Sequence, residues 1–233
     1  MFPFYFDPTY ILVIIGIIIC LAASARVKST FNRYSQVRNV SGMTGAEAAE
    51  KLLNSSGIYD VHIERITGSL NDHYDPRKKV LRLSDSVYSQ TSVAAIGVAA
   101  HECGHAMQHE DGYMPLKLRS TLVPVANFGS FVSWPLIIIG LLIGGSGSIF
   151  LINLGILLFF AAVLFQLVTL PVEFNASKRA VMRLGETGIL YGEEIEQTRK
   201  VLNAAALTYV AAAASAILQL LRILILFGGR NRD

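Results

Sequence analysis

Charge is what this sequence has least of. Asp, Glu, Lys and Arg make up 16% of its 233 residues, against 52% hydrophobic ones, and the mean hydropathy is +0.47. That balance excludes an ordinary soluble domain of this size. The net charge of +3 is too small to mark a nucleic-acid surface, so no nucleic-acid partner is expected. The chain has two cysteines, Cys20 inside an apolar run and Cys103 among histidines. This excludes a disulfide framework and fits a reducing compartment for any soluble part. Apart from Arg222, the apolar runs contain no ionisable side chain. A small transporter relaying protons through mid-membrane groups would need them.

Long hydrophobic runs are abundant. The first, "YILVIIGIIICLAASA" at residues 10–25, is followed by Arg26, Lys28, Arg33 and Arg38. A signal peptide carries its cations before the apolar stretch, whereas here only Asp7 precedes it, so the run reads as a transmembrane helix over 8–26. The positive-inside rule then places the N-terminus outside and residue 26 onward in the cytosol. Residues 123–171 hold two further runs joined by the uncharged "GSGS", a transmembrane helical pair meeting outside. A last run at 204–228 is long enough to span, although Arg222 within it and Arg230 and Arg232 beyond it argue for a kinked or peripheral helix instead. Polar helices are expected before it, over 172–203, with a new helix beginning after Pro171.

Residues 27–122 read as the cytosolic catalytic part. "TGAEAAEKLLNSSG" opens with Thr44 three residues before Glu47, a capping box, and closes at Gly57. "YDVHIERI" and "KVLRLS" alternate like strands, and Asp75-Pro76 signals a turn between them, so a short hairpin-like sheet is expected. A helix follows from Ser92 to His109, carrying "VAAIGVAAHECGHAMQ".

His101 and His105 are four apart on that helix, on one face at adjacent turns, and can grip a Zn²⁺ while leaving positions open. Glu102 follows the first histidine, where its carboxylate can take a proton from water and return one to a leaving amine. Cys103 points about 160° away from His105 and is structural filler. A third ligand is required. Asp111 lies six residues past His105, but that arrangement calls for a glycine turn where Gln108 stands. Glu173 in "LPVEFNASKRA" is the stronger candidate, read either as a ligand or as an acid favoured by a helix N-terminus. His62 is expected to face solvent and His109 to be a helix-end cation.

"LNDHYDPRKKVLRLS", "AAHECGHAMQH" and "LPVEFNASKRA" together resemble the YugP-type neutral zinc metallopeptidases of bacterial membranes, over nearly the whole chain. More distantly the chain is similar to the HtpX/Ste24 membrane peptidases. The resemblance implies one Zn²⁺ per chain held by His101, His105 and Glu173, with Glu102 as general acid and base. It implies a mainly α integral membrane protein with about four transmembrane helices and a small α+β gluzincin-like domain. Those peptidases carry an Asp four residues past the ligand Glu, in support of a histidine ligand. Here Ser177 stands there, with Asn175 or Arg179 as other substitutes. An edge strand at 69–74 would hold substrate by strand addition, with His73, Tyr74 or Asn71 touching substrate or the oxyanion; the alternative, and the favoured reading of His73, is a turn residue capped by Asp75. The expected function is a multi-pass zinc endopeptidase of the bacterial cytoplasmic membrane, its site facing the cytosol. Peptides or membrane proteins would be its substrates, in a quality-control role, with the bilayer around it and oligomerisation or accessory membrane proteins as further partners. The rival is a catalytically idle zinc-binding scaffold that recruits partners.

Overall fold

The computed structural model describes residues 7–143 and 145–227. Nine elements follow in order: α1 (Tyr10–Tyr34), α2 (Gly45–Ser55), β1 (His62–Ile66), β2 (His73–Asp75), β3 (Val80–Ser84), α3 (Val93–Glu110), α4 (Met114–Ile143), α5 (Gly145–Glu186) and α6 (Glu193–Phe227). The chain is a mainly α membrane protein with a small α+β part. Helices α1, α4, α5 and α6 are each long and apolar enough to cross a bilayer. The residues form two compact units. One comprises the chain up to Ala23, Lys117–Leu170 and the chain from Thr208 onward; the other comprises Ser24–Leu116 and Pro171–Leu207.

In the first unit the large apolar side chains point outward: Ile11, Ile18, Phe131, Leu142 and Phe150 are all exposed. An apolar exterior is what a helix needs against lipid. The charge that complicated the last run has a local explanation. Arg222 is buried, donates to Asp7 Oδ2 at 3.1 Å and Thr9 Oγ1 at 3.2 Å, and lies over the Tyr10 ring. The residues just before α1 thus neutralise a cation near the end of α6, and α6 remains one continuous helix of 35 residues.

Three expectations about helix boundaries are corrected. Pro171 begins no new helix but lies inside the 42-residue α5. Its missing N–H frees only the Leu167 carbonyl, a loss that membrane helices commonly absorb. The polar segments at 175–186 and 193–206 belong to the same helices as the apolar runs beside them. "GSGS" likewise opens α5 instead of linking two helices, while Gly144 and the stretch with Arg230 and Arg232 lie outside the described residues.

The second unit is built around α3. Thr44 caps α2 with the full reciprocal capping box, worth about 1 kcal/mol. The other end closes as a Schellman turn: Gly57 has φ +75°, and Ile58 N–H reaches the Leu53 carbonyl at 3.0 Å. Ala48, Ala49, Leu52 and Leu53 of α2 are buried, in one core with Leu81 and Leu83 of β3, Ile96 and Ala99 of α3, and Leu184, Ile189 and Leu190.

The sheet has the order β1-β3-β2. The expected hairpin between the two alternating segments does not form. β1 pairs with β3 in parallel, His62 opposite Val80, and β2 pairs with β3 antiparallel, Tyr74 opposite Leu81. The turn at Asp75-Pro76 is real: the Asp75 carboxylate accepts from the Arg77 and Lys78 amides. Its first arm, however, is the three-residue β2. β3 takes the centre because it is buried nearly throughout, whereas β1 is mostly exposed, and a central strand must be apolar on both faces.

Candidate metal centre and active site

α3 is capped by Ser92, whose hydroxyl accepts from Ala95 N–H at 3.2 Å. Its residues are buried along almost the whole length, so its polar side chains must find partners inside the unit. Gly104 fixes where those partners come from. A Cβ at this position would lie 2.5 Å from the Ala176 carbonyl oxygen. Only glycine lets the backbone of α3 approach α5 this closely.

That approach brings Glu173 onto the histidines. Its Oε2 lies 3.3 Å from His101 Nε2 and 3.6 Å from His105 Nε2, and the two rings meet edge to face with centroids 4.8 Å apart. The ligand atoms of His101, His105 and Glu173 all lie within 4.8 Å of one another, and no other such group of His, Cys, Asp or Glu occurs among the described residues. Ligands about 2.05 Å from a tetrahedral zinc lie about 3.3 Å apart, so the spacing suits that ion. Glu173 is 2% exposed and sits deep inside α5. The reading of it as a helix N-terminal acid therefore fails, because no helix begins there.

The hydrogen bonds behind the site decide which histidine nitrogen faces Glu173. Gln108 is fully buried. Its amide nitrogen donates to the Val172 carbonyl at 2.8 Å and to Asn175 Oδ1 at 2.9 Å, so its Oε1 must be the atom 3.0 Å from His105 Nδ1. An amide oxygen only accepts, so Nδ1 carries the proton. The Nε2 of a neutral His105 is then a bare lone pair directed at a carboxylate. Two acceptors in contact repel unless a cation, either a proton or a metal, lies between them. In the metal-free chain the proton does this: burial opposes the charge, but Glu173, Glu102 and Gln108 hold His105 above the ordinary histidine range. The donor set therefore fits zinc by distance, by ligand type and by its demand for positive charge.

His101 is held differently. Its Nδ1 meets Ser177 Oγ at 3.0 Å, and a hydroxyl can donate or accept, so the tautomer is not fixed by this contact. Ser177 thus stands behind His101. Asn175 and Arg179 stand behind His105, because Asn175 Oδ1 also accepts from Arg179 Nε at 2.8 Å. Arg179 in turn pairs with Asp111. Asp111, the rival third ligand, is spent on this ion pair with its side chain 58% exposed and lies outside the group.

Glu102 is 8% exposed, and its Oε2 accepts from the Tyr74 backbone N–H at 3.0 Å. β2 is an edge strand, and the Tyr74 N–H points away from β3 toward α3. Of the segment 69–74, only His73 and Tyr74 belong to a strand. Asn71 precedes it and donates its side-chain amide to the Thr67 carbonyl at 3.0 Å. His73 is exposed; its Nδ1 faces the Asn71 carbonyl at 3.0 Å and its Nε2 faces Arg82 at 3.3 Å. It is not capped by Asp75, which serves Arg77, Lys78 and Arg82. Burial pushes the Tyr74 phenol up to about 12, and its hydroxyl meets His109 Nδ1 at 3.0 Å. Cys103 points away from the site with Sγ 3.6 Å from the Ala49 carbonyl, and burial pushes its thiol well above the ordinary range. His62 is exposed on β1.

The sequence reading missed Gln108, which it treated only as the residue standing where a glycine turn would be. The signal was available: Gln108 lies three residues past His105, on the same helix face, and its amide can reach the ring. The Tyr74 amide that holds Glu102 is a backbone group and left no trace in the residue types.

Two histidines of α3 and a buried glutamate of α5 thus form a candidate metal site in a chain with four helices of membrane-spanning length. Residues 9–228 match the model of a family described as "Putative neutral zinc metallopeptidase", and the chain belongs to that family. It is 50% identical over 212 residues to "Putative membrane protease YugP" of Bacillus subtilis (strain 168), covering 91% of this chain and 93% of that protein. No solved structure matches the chain.

Proposed function

We propose that the chain is a zinc endopeptidase of the gluzincin type, in which His101, His105 and Glu173 hold one zinc and Glu102 is the general base. The observation that carries this is the bare Nε2 of His105, set by Gln108 and directed with His101 at a buried carboxylate. When bound, zinc acts as a Lewis acid that acidifies water and polarises the scissile carbonyl. Glu102 takes the proton of the attacking water and delivers one to the leaving amine. Tyr74 N–H holds the Glu102 carboxylate in position, and a peptide laid in extended form on the outer edge of β2 runs alongside it. Of the three contact candidates, Tyr74 is the best placed, since its backbone adjoins Glu102 itself, whereas Asn71 and His73 engage Thr67 and Arg82.

The cations that follow the first apolar run support a site on the cytosolic side of the membrane. Unfolded segments and loops of membrane proteins are the substrates that position offers, and quality control is the role that follows. Glu102→Gln in the detergent-purified full chain tests the mechanism. Zinc content stays at one per chain, while hydrolysis of an unfolded substrate such as casein falls by about 10²- to 10⁴-fold. Undiminished hydrolysis in that variant would refute the role of Glu102, and zinc without hydrolysis in the wild type would leave a binding scaffold.

A further inference from the structure

The second unit contains a cavity of about 320 Å³ that the zinc chemistry does not use. Arg26, Thr30 and Arg33 of α1 line it together with Lys200, Asn203 and Leu207 of α6. On each helix these residues fall three, four or seven apart, so each set shares one face. No Asp or Glu lines the cavity. Among the described residues Arg26 and Lys200 have no acidic partner, and Arg33 stacks on Tyr34 with its guanidinium carbon 5.5 Å from the ring centroid. Elsewhere in this unit the arginines near acids are paired with them, as Arg65 is with Asp85, Arg179 with Asp111 and Arg183 with Glu186. Arg26, Arg33 and Lys200 are exposed cations around this cavity, beside the Thr30 hydroxyl and the Asn203 amide, and such a set favours an anion with several acceptor oxygens.

The position of the cavity along the helices indicates the source of that anion. Arg26 directly follows the apolar run of α1, and Leu207 lies at the start of the apolar run of α6. The polar donors and an apolar rim therefore occur where both helices change from oily to charged, the level of lipid headgroups.

We propose that this cavity binds the phosphate of an anionic membrane lipid such as phosphatidylglycerol. The assignment rests on the chain being a membrane protein and is independent of the zinc reading. Free phosphate shares the headgroup's chemistry but has nothing to place against Leu207.

The test uses the full chain in a neutral detergent, with bound lipid counted by native mass spectrometry during titration with phosphatidylglycerol or phosphatidylcholine. The wild type takes one phosphatidylglycerol in preference to phosphatidylcholine. A cation beside a headgroup is worth about fivefold in affinity, so R26Q/R33Q/K200Q binds about a hundredfold more weakly. Asn203→Trp keeps all three cations but fills the cavity and also loses the lipid, whereas R77Q/K78Q, which removes exposed cations elsewhere, does not. Retention by the triple variant would overturn the proposal. Retention by Asn203→Trp, or equal loss in R77Q/K78Q, would reduce the effect to diffuse surface charge and overturn it as well. Displacement of the lipid by inorganic phosphate at matched concentration would reassign the cavity to free phosphate. Zinc content and hydrolysis enter none of these readouts.

Discussion

Replacing Gln108 by methionine tests the part of the site that the residue pattern did not announce. Methionine has nearly the same length and volume, so the substitution leaves little cavity. It removes three hydrogen bonds: the acceptor for His105 Nδ1–H at 3.0 Å and the donors to Val172 O at 2.8 Å and Asn175 Oδ1 at 2.9 Å. At about 1 kcal/mol for each neutral bond, stability falls by about 3 kcal/mol at most, because the Val172 carbonyl keeps its place in the ladder of α5. The specific consequence concerns the metal. Without its acceptor, His105 is no longer held in the tautomer that presents Nε2, and losing such a partner weakens zinc by about 10- to 100-fold, or about 1.4 to 2.7 kcal/mol. Zinc affinity is measured by competition with a chromogenic chelator on the detergent-purified chain, alongside thermal unfolding. A lower melting temperature with zinc affinity within about twofold of wild type would show Gln108 to be a core amide with no bearing on the metal.

Two further outcomes follow from the same geometry. Gly104→Ala places a Cβ 2.5 Å from the Ala176 carbonyl, against backbone that cannot rotate away. Overpacking of this kind costs about 1–3 kcal/mol, and relief by separating α3 from α5 also carries Glu173 from the histidines, so zinc affinity falls by at least about tenfold in the same competition assay. The pH dependence of stability reverses with metal. In the metal-free chain the His105 value is raised above its unfolded value of about 6.5, so its contribution is complete below that pH and is lost as pH rises through the raised folded value. Zinc competes with the proton for Nε2, so the zinc-loaded chain gains stability over the same rise. Thermal unfolding with chelator and with zinc, at pH 6 and pH 8.5, reads both slopes.

How much of this was legible in the residues depended on the range of the interaction. The capping box at Thr44, the stop at Gly57 and the helix that begins at Ser92 are local, and each appears where the pattern places it. The apolar runs were equally plain, because length and hydropathy suffice. Sheet pairing was not. Alternation marks β1 and β3 as strands but carries no direction, and the antiparallel partner of β3 proved to be a three-residue strand too short to show a period. Pro171 misled because proline rules describe helices in water, where the freed carbonyl has other options. His101 and His105 stood out because their i, i+4 spacing matches one helix face, and Glu102 because it follows the first of them. Glu173 lies 72 residues from His101, and only the close passage of two backbones at Gly104 joins them.

The central claim is that one zinc joins α3 to α5 through Glu173. Zinc content per chain, measured on the detergent-purified wild type and Glu173→Ala side by side, tests it most directly. The account predicts about one zinc in the wild type and its loss, or retention only at greatly raised zinc concentration, in the variant. Full occupancy in Glu173→Ala at the same affinity would contradict it, since two histidines alone would then be holding the metal, or another acid such as Asp111 would have left Arg179 to do so.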